Sequence, residues 1–241
     1  MRFDVFDYTN QGGRSYNEDS VGFTCEGDSG LFVVADGLGG HMYGEVASKC
    51  VCDTLIGNWS GRGMVNLNDW LSGCLDFANG SVLELQKEKG AVLKSTAVVL
   101  AVDNGRAVWS NVGDSRLYYI HNSEIASYTR DHSVAFKKFR AGEITRDDIR
   151  TDEDQSSLLR SIGNEELGKY EKYTDGELLT PGDAFMLCSD GVWEYLSDEE
   201  IVIDLLKSEN SKQWAELMLL RLMDRINGEN DNLTLLTIMV N

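Results

Sequence analysis

The chain has 241 residues, 42% of them hydrophobic and 26% charged, proportions that allow a sizeable core and exclude a disordered chain. Its 22 Lys and Arg against 40 Asp and Glu leave a formal charge of −18, which excludes nucleic acid and membrane as main partners, because those demand basic patches. Five cysteines without a C-x-x-C pair read as reduced core residues, no apolar run approaches the roughly 18 residues needed to span a bilayer, and the opening MRFDVFDYTN lacks the apolar core of a signal peptide, so a cytoplasmic protein is expected.

Residues 2–9, 19–25 and 31–35 carry the β-branched and aromatic content of strands. The period then changes: Ala47, Cys50, Val51, Thr54 and Leu55 share one face of a helix over 44–56. A second helix follows over 66–88, with Leu67, Trp70, Leu71, Cys74, Leu75, Ala78, Val82 and Leu85 at intervals of three and four. In 94–122 two apolar runs flank Asp103-Asn104-Gly105, a tight-hairpin signal, and a third strand at 116–121 follows Gly113-Asp114-Ser115. Residues 132–165 are polar and charged, with short helical fragments at most. Strands near 171–179 and 183–189 precede helices at 198–207 and 212–227. Ser197 and Glu200 match a capping box at the start of the first of these helices. The chain closes on a strand at 232–240. Hairpin strands with helices in consecutive pairs predict an α+β fold, one domain over 1–241, with sheet in the middle and helices outside.

Two apolar runs end alike: LFVVADGLGG (31–40) on Asp36-Gly37, and AFMLCSDGVW (184–193) on Asp190-Gly191. Asp114 sits in the turn between two strands, Asp231 just before the last strand, and Glu18-Asp19 open the second. Any one Asp-Gly is most simply a turn. Strand ends meet at a sheet edge, however, and carboxylates gathered without basic partners repel unless a cation sits among them. Oxygen-only donors select Mg²⁺, Mn²⁺ or Ca²⁺.

RSYNEDS, VVADGLGGHMYGEVAS, STAVV, VGDSRLYYI, TRDHS, MLCSDGVWE and NDNLTLL stand in the order found in the type 2C metal-dependent serine/threonine protein phosphatases, in their bacterial form, and the chain resembles that family from Arg14 to Leu235. The resemblance implies a four-layer α-β-β-α sandwich, two antiparallel sheets flanked by helix pairs, with a binuclear metal site at one edge. It implies two Mn²⁺ or Mg²⁺ ions and in-line attack of a metal-bridging water or hydroxide on phosphoserine and phosphothreonine monoesters. Asp36 would touch both metals and Gly37 would lend its carbonyl to one. Asp190 and Asp231 would complete the shell of the other, and Glu18 would serve the second metal directly or through water. Asp19 would stand behind the ligands, and Asp114 would hold a weaker third metal together with Asp190. Arg14 would grip the phosphate.

Better-studied animal members carry a histidine after the Asp-Gly pair as general acid; here that residue is Leu38. His41 is a candidate for the role, with helix capping or solvent exposure as alternatives and a metal-bound water as another source. His132 reads as fixing a loop, and His121 as a strand-end residue. Residues 132–165 resemble the flap bordering the site, where Lys137, Lys138 and Arg140 either steer a phosphopeptide or form a solvated helix face; Asp152, Glu153 and Asp154 read as solvated loop. The implied partners are phosphorylated proteins, a cognate serine/threonine kinase and its substrates, with the chain a monomer. The alternatives are a catalytically silent phosphoprotein- or metal-binding regulator of the same fold and a calcium-binding module. Degenerate regulators usually lose metal carboxylates, which this chain keeps, and the EF-hand loop is absent.

Overall fold

The computed structural model describes residues 1–38, 43–60, 65–168 and 170–241. In chain order its elements are β1 (Phe3–Asn10), β2 (Asp19–Glu26), β3 (Ser29–Leu38), α1 (Gly44–Trp59), α2 (Leu67–Lys89), β4 (Lys94–Ser95), β5 (Ala97–Asp103), β6 (Arg106–Val112), β7 (Arg116–His121), β8 (Glu124–Tyr128), α3 (Val134–Ala141), a 3-10 turn (Asp147–Thr151), β9 (Glu177–Leu178), β10 (Ala184–Cys188), α4 (Asp190–Trp193), α5 (Asp198–Leu206), α6 (Ser211–Arg225) and β11 (Leu233–Val240).

The strands form two antiparallel sheets. One runs β1-β11-β10-β7-β8, the other β2-β3-β5-β6-β9 with β4 added beside β3. Period-two alternation explains how they stack. Phe32 and Val34 of β3, and Val98, Leu100 and Val102 of β5, meet Phe185 and Leu187 of β10 and Leu236, Ile238 and Val240 of β11 between the sheets. The intervening residues Leu31, Val33, Ala35, Val99 and Ala101 point the other way, onto Val51 and Leu55 of α1 and Leu71, Leu75, Ala78 and Val82 of α2. On the opposite side Met186, Cys188 and Leu235 meet Ile201 and Leu205 of α5 and Trp214, Met218 and Leu222 of α6. The result is the expected four-layer sandwich. Central strands buried on both faces read in sequence as continuous apolar runs. Each large side chain buried this way contributes about 1.5–3 kcal/mol, more than helix propensity supplies, so burial fixes the helices in place.

Local signals hold as well. Asn104 and Gly105 take φ of 49° and 68°, the paired positive values of a tight hairpin turn, with Asp103 opposite Arg106. Helix α2 starts on the Asn66 side chain and ends at Gly90 in the left-handed conformation. Both halves of the Ser197–Glu200 capping box are formed.

Four expectations need correction. The strand near 171–179 shrinks to β9, because side chains rather than a ladder hold 171–174: the Tyr173 hydroxyl donates to Asn111 Oδ1 (2.8 Å) and accepts from the Arg130 N–H (2.9 Å). β8 was not anticipated. Of the cysteines, Cys52, Cys74 and Cys188 are buried, but Cys50 is half-buried and Cys25, on β2, is exposed. Asp152 and Asp154 are not simply solvated, since both pair with Lys138 at 2.8 Å. Among the described residues no helix is long and apolar enough to cross a membrane.

Candidate metal centre

One end of the sandwich gathers the carboxylates. In the β2–β3 ladder Asp19 stands opposite Asp36. Asp36 does not end its strand: β4 pairs with Gly37 and Leu38 and carries β3 two residues further. The Asp36 backbone is fixed by its N–H donating to Thr96 Oγ1 (2.9 Å) and its carbonyl accepting from the Thr96 N–H (2.7 Å). Asp190 does not end a strand either. β10 stops at Cys188, the Ser189 N–H donates to the Thr234 carbonyl (3.0 Å), and Asp190 opens the one-turn helix α4. Ser189 also reaches across to the other sheet, its hydroxyl donating to Asp19 Oδ2 at 2.8 Å. Asp114 lies in the β6–β7 turn, and Asp231 two residues before β11.

These segments enclose a cavity of about 690 Å³ lined by Arg14, Ser15, Tyr16, Glu18, Asp36, Gly37, Leu38, Asp114, Ser156, Leu158, Asp190, Asp231 and Asn232. Asp36, Asp190, Asp231, Glu18 and Asp114, expected from sequence, therefore share one space. Asp19 stands just behind. Arg14, the only cation lining the cavity among the described residues, grips Asp231 with two bonds, Nε to Oδ1 (3.1 Å) and Nη2 to Oδ2 (2.7 Å). His41 lies outside the described residues.

Electrostatics follow from one cation among many acids. Burial, then repulsion from Asp19, Asp190, Asp114 and Asp231, pushes the Asp36 carboxyl well above the usual carboxylate range. Burial, then Asp190 and Asp131, does the same to Asp114. Asp19 is pushed up to about 7 by burial, against hydrogen bonds from Thr234 and Ser189. Asp190 rises to about 6, through burial and then Asp231, offset by the Gly191 N–H and by Asp36. Burial also raises Glu18.

Among the described residues no three His, Cys, Asp or Glu side chains stand as a closed ligand set; the carboxylates ring the cavity wall. The donors nevertheless fit hard divalent cations. Asp19 Oδ1 is buried and has no hydrogen-bond partner among the described residues. A Cβ placed on Gly44 would lie 2.6 Å from Glu18 Oε1 and 2.7 Å from the Gly37 carbonyl, so these two oxygens close on the same point. All the donors are oxygen.

Sequence reasoning missed several contributors. Asn232 holds the β1–β2 connection at three points: Nδ2 donates to the Gln11 and Tyr16 carbonyls (2.8 Å each) and Oδ1 accepts the Glu18 N–H (2.8 Å). Glu194 sits one helical turn beyond Asp190 and is pushed up to about 8 by burial and then by Asp190 and Asp231. Its signal is the i, i+4 spacing from Asp190, which carries meaning only once α4 is seen to be a helical turn. Gln155 brings its side-chain amide toward Asp190 and Glu194 without closing a hydrogen bond at Nε2. His132 fixes a loop as expected, its Nδ1 accepting the Gly113 N–H at 3.1 Å. His121 ends β7 and its Nδ1 meets Asp183 at 2.6 Å. In the flap Lys138 is held by Asp152 and Asp154, whereas Lys137 and Arg140 are exposed.

Comparison with known proteins matches a family model described as Protein phosphatase 2C to residues 9–225. The serine/threonine phosphatase stp of Listeria welshimeri is 32% identical over 232 residues, covering 93% of this chain and 90% of that one. The PPM Ser-Thr phosphatase MsPP from Mycobacterium smegmatis, solved with cacodylate, superposes with a TM-score of 0.80 at 28% identity over 98% of both chains. The catalytic domain of serine threonine protein phosphatase PstP, solved with 2 manganese ions, has the same fold, with a TM-score of 0.79 at 24% identity, covering 98% of this chain and 97% of that one.

Proposed function

The chain belongs to the protein phosphatase 2C family and is a serine/threonine protein phosphatase, and we propose that it is a metal-dependent one whose centre is the carboxylate-ringed cavity. The observation that carries the reading is that five carboxylates, from Glu18 to Asp231, line one space with a single arginine. So many buried acids raise one another's pKa and destabilise the fold unless cations join them.

Two Mn²⁺ or Mg²⁺ ions fit best, with a third held more weakly; the manganese in the PstP structure supports the choice of ion. Asp36 would bridge, Gly37 would lend its carbonyl, and Asp190 and Asp231 would complete one shell. Glu18 would serve the other ion, Asp19 would stand behind, and Asp114 would join Asp190 at the third. When bound, such ions lower the pKa of a water and neutralise phosphoryl oxygens. The chain's own residues supply the rest. Arg14 lines the cavity with its Nε–Nη2 edge spent on Asp231, which orients the guanidinium and leaves the Nη1–Nη2 edge as the fork for two phosphate oxygens. Asn232, just before β11, fixes the loop from Gln11 to Glu18 through its three bonds. Leu38 lines the cavity where a proton donor would be useful and offers none, so the leaving oxygen takes its proton from another source. Residues 1–241 act as one catalytic domain with a flap at 132–165. Phosphorylated proteins are the substrates, and a cognate serine/threonine kinase shares them.

Purified protein should dephosphorylate a phosphothreonine peptide with Mn²⁺ and stop on addition of EDTA. Asp36→Asn should lose roughly 100-fold or more in turnover, the several kcal/mol that a Lewis-acid cation contributes. Full activity in EDTA, or in Asp36→Asn, would overturn the metal-centre reading.

A further inference from the structure

The backbone around Asp114 is held from outside its own turn. The Gly113 N–H donates to His132 Nδ1 (3.1 Å), and the Gly113 carbonyl accepts from the His132 N–H (2.9 Å). The Asp114 carbonyl accepts from Trp193 Nε1–H at 3.0 Å. Trp193 is the last residue of the single helical turn that begins at Asp190. One rigid turn thus carries a cavity carboxylate at its start and a hydrogen-bond donor to the other carboxylate's backbone at its end. Trp193 is 1% exposed, and the Arg116 guanidinium lies over its ring, 3.5 Å from the centroid. That guanidinium is itself locked at its edges. Nε and Nη2 donate to Asp131 (2.8 and 2.6 Å), and Nη1 donates to the Tyr118 hydroxyl (3.1 Å). Its edges are used, and the face is left for the indole.

A buried indole needs an acceptor, and many backbone carbonyls would serve. Trp214 satisfies the same need with the Ile201 carbonyl, inside the helical layer and away from any cavity-lining residue. Trp193 differs in that its acceptor, Asp114, lines the cavity, and the helical turn that carries it begins at Asp190, which lines the cavity too. We propose that Trp193, backed by Arg116, is a positioning residue that sets the spacing of the Asp114 and Asp190 carboxylates for the cation they share. This rests on the metal-centre reading above. A residue that only filled the core would act through volume and be replaceable by another aromatic ring; a positioning residue acts through its N–H.

Trp193→Phe separates the two, because it keeps a ring over Arg116 and removes the donor. Calorimetric titration of the metal-free full chain with Mn²⁺ is compared for wild type, Trp193→Phe and Asp114→Asn. Asp114→Asn should abolish the weakest site. Trp193→Phe should weaken that site about fivefold, the effect of one lost hydrogen bond, while the tighter sites stay within about twofold. If Asp114→Asn leaves the isotherm unchanged, the assignment of Asp114 fails and the inference falls with it. If Asp114→Asn removes the site and Trp193→Phe does not weaken it, the inference alone is overturned. Should Trp193→Phe not fold, the Trp193 indole N–H resonance is followed through a Mg²⁺ titration. A shift in wild type that vanishes in Asp114→Asn supports the inference, and a resonance that stays still in wild type overturns it.

Discussion

At Gly44 two physical tendencies oppose each other. The residue begins α1, where alanine is a better helix former than glycine by about 0.5–1 kcal/mol. Yet an added Cβ would meet Glu18 Oε1 at 2.6 Å and the Gly37 carbonyl at 2.7 Å, the two oxygens proposed to act on one cation. The Glu18 side chain can swing away; the carbonyl belongs to β3 and cannot. Gly44→Ala should therefore lose stability, because the start of α1 must shift off that carbonyl, and bind Mn²⁺ roughly tenfold or more weakly, with the Glu18 side chain displaced. Calorimetric titration of the purified variant checks this, and unchanged affinity would mean that Glu18 and Gly37 do not act on a common ion. Asp36, Asp190 and Asp231 were legible as candidates because each stands in a short motif beside an apolar run, although Asp36 lies within β3 and Asp190 opens α4 rather than ending a strand. Gly44 was not, since its approach to Glu18 and the Gly37 carbonyl comes from the packing of α1 on β2 and β3, which no spacing in the sequence shows. Glu194 and Gln155 escaped notice for the same reason: their significance comes from which carboxylates they face.

Elements whose signals are local behaved as read, and α5 shows why. Its capping box needs only Ser197 and Glu200, three residues apart: the Glu200 N–H donates to Ser197 Oγ at 3.3 Å and the Ser197 N–H to Glu200 Oε2 at 3.0 Å. Ser197→Ala should lower stability by about 1 kcal/mol while leaving Mn²⁺ affinity and turnover unchanged, because α5 lies in the outer layer and contributes no residue to the cavity. Chemical denaturation beside steady-state kinetics distinguishes the two effects; lost activity at full folding would show that α5 reaches the centre. The flap is the opposite case. Its base is clamped by Arg146 to Asp198 (2.7 Å), by Arg150 donating to the Leu196 carbonyl (3.0 Å), and by Lys138 to Asp152. Apart from the last, these partners lie some fifty residues away, so sequence periodicity showed only a charged, irregular stretch. The strand expected at 171–179 shrank to β9 for a like reason, because the Tyr173 hydroxyl took the place of a ladder.

Across the whole molecule, a formal charge of −18 combines with buried acids that face one another. Asp19 near 7, Asp190 near 6, and Asp36 and Asp114, both pushed well above the usual carboxylate range by burial, all have folded pKa values above the unfolded carboxylate value near 4. The sign follows from proton counts. Near pH 5 the metal-free folded chain holds protons on these groups that the unfolded chain has begun to release, so the fold is favoured. As pH rises through 6 and 7 the folded groups must ionise beside one another, and that stability is lost. Metal-free protein in EDTA should therefore melt lower at pH 8 than at pH 5, by several degrees, since one kcal/mol moves a chain of this size by about 2–4 °C. Asp19→Asn removes one of the titrating groups and should shrink the drop. Saturating Mn²⁺ should reverse the slope. The cation competes with protons for the same oxygens, binds the folded state, and binds better as pH rises. A melting temperature in EDTA that is flat or climbs from pH 5 to pH 8 would mean that the carboxylates are kept apart or paired by something other than a metal. The same experiment without and with Mn²⁺ therefore reads the charge balance of the centre directly, independent of any substrate.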